Sequence, residues 1–519
     1  MKVSCIILAA LMCLPIMAFA AMDSKSIGSD NSPSNAILNQ SATDTSEREI
    51  GIINYFQEIR NNPEELRAFF LSMPKGGDIH NHLTGAVYAE DLIDSGSSDG
   101  LCIYSNNCTV TKCTGSRNAI PLNYSYRNEQ LYNHIVDTWS MKNSELLNTS
   151  GHDQFFSTFG RFGGATTNTS LLVAELRSRA ARENIEYLEL MTGVGTGNRA
   201  YGLDKWNDNL SILYDQLIKR GLKESAKEAS ANLLKIDSKS IELLDARDPG
   251  RNVTVRYLCT ASRIKPKKDV FSQLTLAFEA ANTSPLAVGI NILSAEDNRT
   301  AREDYSLHMK MIDFLHGKYP NVKIALHAGE LDLGLVPPED LRFHIQEAVE
   351  VGHACRIGHG VDIMRESNSQ KTLSEMRNGK IAIEIMPVSN KEILGVSGED
   401  HPFPIYLSRG VPVILASDDP GVLRTDLTEQ FVIIASDYPS VSYSDIRTFA
   451  RNSLEYSFLS GEGIWAAAGN YSQIRKECAG CLPGTECKEC RAFLDKNDKA
   501  KAEWRLEGDL AAFEKETHN

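Results

Sequence analysis

No apolar stretch in this 519-residue chain reaches the ~20 residues that a membrane span requires. The longest, from Val3 to Met17, falls short. Positive charge is also scarce: 54 Lys and Arg stand against 68 Asp and Glu, a net charge of −14. Such an acidic surface repels phosphate backbones and anionic lipid, so neither nucleic acid nor a membrane surface is an expected partner. Hydrophobic residues at 42% and charged residues at 24% exclude a mainly disordered, collagen-like or multi-span chain. No internal repeat is visible. What remains is a chain with ample apolar material for one large core, and large α/β barrels of this length stay single domains.

The first segment has the form of a secretory leader. Lys2 precedes the apolar run, and Ala18-Phe19-Ala20 supplies the small-x-small pattern of a cleavage site after Ala20. A lipoprotein reading at Cys13 is weaker, because bulky Leu11 and Met12 stand where small residues are needed. The expected mature chain is therefore secreted or periplasmic, and its cysteines face an oxidising compartment. Cys478-x2-Cys481-x5-Cys487-x2-Cys490 has a central gap far shorter than the ~15–20 residues of zinc ribbons, which favours local disulfides over a metal. Cys102, Cys108 and Cys113 crowd a second irregular stretch and can supply another bridge, whereas Cys259 and Cys355 lie in or beside apolar runs and read as buried free thiols. Asn-x-Ser/Thr sequons, Asn107 and Asn252 among them, carry meaning only if the host glycosylates.

From residue 21 to 45 the chain is rich in Ser, Asn and Asp and reads as a flexible linker. Helical spacing over 46–72, broken at Asn62-Pro63, predicts two short helices. Eight strand-length apolar runs then alternate with helical stretches: 77–82, 185–191, 253–259, 287–293, 323–327, 356–359, 381–385 and 411–416. That alternation predicts a (β/α)8 TIM barrel over residues 73–465, with chemistry at the C-terminal strand ends. The gap after the first strand is long enough to demand an insertion, at about 94–135, and residues 466–519 form a cysteine-containing helical tail.

Polar residues collect at those strand ends. His80 and His82 are two apart on the first strand and so share a face. The fifth ends in His327-Ala328-Gly329-Glu330, the sixth in His359-Gly360, and the eighth in Ser417-Asp418-Asp419-Pro420. Imidazole and carboxylate ligands of this kind suit a catalytic zinc with one position open to water. The fourth strand, Gly289-Ile290-Asn291-Ile292-Leu293, has no lysine to bridge two ions, so one metal is expected. The His-x-Glu and Pro-Cys-x-x-Cys pattern of cytidine-type deaminases is absent.

Met73-Pro74-Lys75-Gly76 leading into His80-x-His82, His327-Ala328-Gly329-Glu330, Gly358-His359-Gly360, Glu384-Ile385-Met386-Pro387-Val388-Ser389-Asn390 and Ser417-Asp418-Asp419-Pro420 together resemble the adenosine deaminase family. The leader, N-terminal helices and long insertion look most like its exported branch, the adenosine deaminase-related growth factors. The resemblance implies one Zn2+ per chain on His80, His82, His327 and Asp418. It implies Glu330 as proton donor to purine N1, His359 as the residue that orients and deprotonates the zinc-bound water, and Asp419 as partner of N7. It implies hydrolysis of adenosine, and of 2′-deoxyadenosine, to inosine and ammonia. Zinc lowers the pKa of its water to ~7, and the ring needs a neutral carboxylic acid, so the chemistry agrees with those roles.

Two departures bear on substrate. The family aspartate near the second histidine, which contacts the ribose 5′ hydroxyl, is replaced here by Leu83 and Thr84. Ser294 stands where a glycine amide contacts the purine, followed by Glu296 and Asp297. Thr84 and Ser294 therefore join Asp419 as candidate substrate contacts. Another aminopurine or modified nucleoside is the alternative substrate, and a non-catalytic signalling homologue the alternative function. A homodimer is left open.

Overall fold

The computed structural model describes residues 50–115, 118–146, 148–194, 202–485 and 487–518. The leader, the linker of 21–45 and the start of the N-terminal extension lie outside the described residues.

Two helices open the described chain, residues 50–59 and Pro63–Ser72. The break between them has a local cause. Asn62 caps the second helix by accepting from the Glu65 amide, and Pro63 occupies the first turn, where its missing N–H costs nothing. Phe56, Phe69 and Phe70 form an aromatic knot with Tyr443 and Phe513, which ties this pair to the late helices.

All eight expected strands form, and they make one parallel sheet in chain order: Gly76–His82, Ile185–Gly193, Thr254–Ser262, Ala287–Leu293, Lys323–Ala328, Arg356–His359, Ala382–Ile385 and Val413–Leu415. The eighth is shorter than its apolar run. Closure between the first and eighth strands is made at the functional end, by an Asn81–Asp418 bridge with His82 N donating to Asp418 O and Asp418 N to His80 O, at 2.9 and 3.0 Å. The register of the first strand breaks between Asp78 and Asn81, the kind of irregularity that re-aims side chains at a barrel rim. Gly76 has φ of 70°, and a Cβ there would meet Ser453 Oγ at 2.6 Å, so the strand can start only on glycine.

The stretch after the first strand holds a helix, Ala89–Ser98, and a three-stranded antiparallel sheet with Leu101–Tyr104 at its centre. The Cys102–Cys113 disulfide pins this sheet; Cys108 is free and buried. Helices Glu129–Trp139, Gly151–Phe162 and Thr169–Arg182 lead back to the barrel. In the tail, Cys478–Cys490 and Cys481–Cys487 are disulfides, around a small core with Trp465 and Trp504. Cys259 is a buried free thiol as expected, while Cys355 is half-buried. The last helix, Asp498–His518, packs on Tyr443–Glu455, with Arg451 gripping Glu507 through two bonds of 2.6 Å. Among the described residues no helix is long and apolar enough to cross a membrane.

Candidate active site

The barrel mouth gathers the residues singled out by the sequence. His80 Nε2 lies 3.1 Å from His327 Nε2 and 3.4 Å from Asp418 Oδ1, and His82 Nε2 lies 3.1 Å from each of those two atoms. Both histidines of the first strand thus approach the same two atoms. Left-handed backbone at His359 (φ 71°) and Asp418 (φ 65°) is costly for residues with a Cβ, and such outliers gather where a site requires them.

The protonation of two rings follows from their other nitrogens. His80 Nδ1 is 2.6 Å from the Glu384 carboxylate, an acceptor, so the Nδ1 proton points there. His327 Nδ1 is 2.8 Å from Asn291 Oδ1, which also accepts the His327 backbone N–H and is therefore the amide oxygen. The neutral rings thus turn bare Nε2 lone pairs toward each other, and the buried Asp418 Oδ1 has no hydrogen-bond partner. Lone pairs and an unpartnered carboxylate oxygen at these separations repel one another unless a proton or a metal ion lies among them. The edges of 3.1 to 3.4 Å match the ~3.3 Å between ligand atoms of a tetrahedral ion with bonds of about 2.0–2.1 Å. The donor set fits zinc. Two overlapping groups can offer ligand atoms: His80, His327, His359 and Asp418, and His82, Asp418 and Asp419.

Buried ion pairs hold this cluster from below. Glu384 also accepts from Arg356 at 2.5 Å, and Arg356 reaches Glu189 at 2.6 Å. Burial opposes a charge on His80, but Glu384 and Asp418 outweigh it and hold the ring up at about 10 when no cation competes. Arg263 Nη2 donates to His327 O at 2.6 Å and lies close to Glu296, with Nη1 3.4 Å from Oε1.

Glu330 sits at the rim, 3.7 Å from His359 Nε2. Burial first, and then the charges of Asp418 and Glu296, push its carboxyl well above the usual range. The Glu330 backbone is fixed by Glu296, which accepts from the amides of Gly329 and Glu330 at 3.2 and 2.9 Å. Burial would raise Glu296, yet Arg263 and His344 bring it down to about 2. Burial pushes His359 down to about 3, and Asp419, buried beside Asp418, up to about 7. Gly85 lets Asp419 approach: a Cβ there would fall 1.6 Å from Asp419 Oδ1.

The substrate candidates divide. Ser294 has φ of 82°, a glycine-like conformation, with its hydroxyl on Ser262 at 2.9 Å. Leu83 is buried in the core, and Thr84 is half-buried beside Gly85. The helix Gly151–Phe162 reaches the loop after the fourth strand, with His152 Nε2 3.1 Å from Asp297 Oδ1. Sequence reasoning gave no role to Asn291, Glu296, Glu384, Arg263 or His401. Asn291 and Glu384, both polar within otherwise apolar barrel strands, were the available signal.

An eight-stranded barrel with a His/His/His/Asp cluster at its C-terminal rim defines the metal-hydrolase class of α/β barrel. The family model described as adenosine deaminase matches residues 166–466, and the chain belongs to that family. The match includes His327, Glu330, His359, Asp418 and Asp419 and begins after His80 and His82, which the fold brings to them. Among relatives, an adenosine deaminase of Clostridium acetobutylicum is 27% identical over 157 residues, 30% of this chain and 43% of the relative. One of Mycobacterium sp. (strain KMS) is 26% identical over 223 residues, 41% and 56% of the two chains. One of Shewanella halifaxensis is 22% identical over 394 residues, covering 76% and 96%. The chain thus spans about half the length of the first two. Among solved structures, the adenine deaminase of Arthrobacter aurescens is 18% identical with a TM-score of 0.48, covering 75% of this chain and 94% of the other. The N6-methyl-AMP deaminase of Arabidopsis thaliana gives 19% and 0.49, covering 76% and 94%.

Proposed function

We propose that this protein is a metal-dependent hydrolase that deaminates adenosine, and 2′-deoxyadenosine, to the inosine nucleoside and ammonia. One observation carries the reading: the carboxyl of Glu330, which burial pushes well above the usual carboxyl range, stands 3.7 Å from His359 at the rim of a four-donor cluster. His80, His82, His327 and Asp418 would hold one zinc ion. When bound, the ion supplies Lewis acidity that makes a water nucleophilic near neutral pH.

The remaining work belongs to side chains. A hydroxyl group adds to C6 and a hydrogen to N1; the C6–N bond then breaks, ammonia leaves, and the carbonyl of the product forms. Only an acid that is protonated at neutral pH can give N1 its proton as C6 becomes tetrahedral, which is the task of Glu330. Purine N7 accepts hydrogen bonds only, so Asp419 engages it as the acid. The Ser294 amide meets the ring from the end of the fourth strand, and Thr84 borders the sugar.

Leu83 and Thr84 in place of an aspartate favour one second reading, a different aminopurine or modified nucleoside. The leader, the disulfide-pinned insertion and the tail disulfides support export and a place in the growth-factor branch. Purified, metal-loaded mature protein incubated with adenosine, deoxyadenosine, adenine and AMP tests the reading: ammonia released from adenosine supports it, and release from another of the four alone replaces the substrate.

A further inference from the structure

The proton position on His359 follows from a chain of hydrogen bonds that starts at a backbone amide. Phe403 N–H, which can only donate, lies 3.1 Å from His401 Nδ1. His401 Nδ1 is therefore the bare nitrogen, and the proton of this buried ring is on Nε2. That Nε2–H lies 2.9 Å from Asn390 Oδ1, which must be the amide oxygen. The Asn390 amide nitrogen, a donor only, then lies 3.0 Å from His359 Nδ1. His359 Nδ1 accepts, and the proton of the neutral ring sits on Nε2. That nitrogen is buried, has no hydrogen-bond partner in the protein, and faces Glu330 Oε1 across 3.7 Å. Tyr406 steadies the same turn by donating to Gly360 O at 2.7 Å.

We propose that Asn390 and His401 are positioning residues that lock His359 as its Nε2–H tautomer, making it a hydrogen-bond donor to the oxygen that adds to the substrate carbon. The inference rests on the deaminase reading for that oxygen, and the tautomer itself stands without it. It departs from the expectation that His359 deprotonates water, because a nitrogen that already bears a proton has no lone pair to receive one. For the same reason His359 cannot ligate a metal through Nε2, so His82 completes the set with His80, His327 and Asp418. Proton transfer to N1 then falls to Glu330. Its carboxyl gives a proton to N1, the resulting carboxylate takes the proton released by the attacking water, that proton passes to the departing amine, and the C6 hydroxyl returns its own proton to the carboxylate as the carbonyl forms.

The test pairs a spectrum with kinetics. In protein labelled with 15N-histidine, long-range 1H–15N correlation reads the tautomer of each ring, and His359 is assigned by the signals lost in His359→Gln. The expected wild-type pattern is a protonated Nε2 and a bare Nδ1. Asn390→Asp, which replaces the donor with an acceptor of the same shape, moves the proton to Nδ1. It lowers kcat by about a hundredfold or more, with KM, metal content and melting temperature nearly unchanged. His401→Gln, whose amide can take the Phe403 N–H and still donate to Asn390, restores the wild-type tautomer and most of kcat; His401→Leu does not. A wild-type His359 with a bare Nε2, or Asn390→Asp with kcat within threefold of wild type, overturns the proposal. If the tautomer is as described and no aminopurine is deaminated, the functional reading fails and the relay stands.

Discussion

His80 and His327 face each other through Nε2 atoms 3.1 Å apart, and the partners of their Nδ1 atoms, Glu384 and Asn291, leave Nε2 bare in each neutral ring. Two lone pairs so close are reconciled by a proton on His80 or by a metal ion between them, and the donor set suits the ion. An ion bound there would be part of the folded state and not an accessory to it. The protein should carry about one zinc per chain, and its removal by a chelator should lower the melting temperature, with recovery on adding zinc back. Elemental analysis that returns two ions per chain, or a melting curve indifferent to the chelator, contradicts this arrangement.

Glu330→Gln keeps the size of the side chain and its backbone anchors on Glu296 but removes the transferable proton. Zinc content and melting temperature should stay near wild type while kcat falls by about 10⁴-fold or more, the upper end for a general acid whose proton also creates the electrophile. A fully metal-loaded variant that retains more than about a tenth of wild-type turnover shows that Glu330 is not the acid.

Thr84 precedes Gly85, the glycine against which Asp419 packs, and on the proposed reading an acidic side chain there would face the sugar. Thr84→Asp should keep or improve adenosine turnover. Loss of activity in Thr84→Ala with the metal still bound would mean that Thr84 does more than border the ribose.

Away from the mouth, His308 is 1% exposed with an unpartnered Nε2, and burial, then the charge of Arg263, pushes its ring down to about 3. The unfolded chain takes up this proton near pH 6.5 and the folded chain only near 3. The unfolded state thus binds more protons in that window, and stability falls as the pH drops through it, by up to about 1.4 kcal/mol per pH unit. Above pH 6.5 the effect vanishes. His308→Gln should flatten the decline of melting temperature between pH 6 and 4, and an unchanged slope removes His308 as its cause.

The barrel was legible because strands buried on both faces must be apolar along their whole length, and each of the eight runs therefore announces itself. The His and Asp residues that end four of those runs were legible for the same reason, being polar where the apolar run stops. The sheet around Leu101–Tyr104 was not, since strands of three or four residues leave no readable period. Nor was the control of His359. Asn390 stands in a family-like motif, but His401 is on a loop after the helix Pro387–Leu394, and only atomic positions reveal that a backbone amide at Phe403 decides where a proton sits on the ring of His359.

The most direct test of the account is the fall in absorbance at the adenosine maximum, recorded with ammonia release, for purified zinc-loaded mature protein beside Glu330→Gln. The account predicts that wild type converts adenosine with one ammonia per inosine formed and that the variant, equally folded and metal-loaded, is slower by about four orders of magnitude. Folded, zinc-loaded wild type that releases no ammonia from adenosine, deoxyadenosine, adenine or AMP would contradict it.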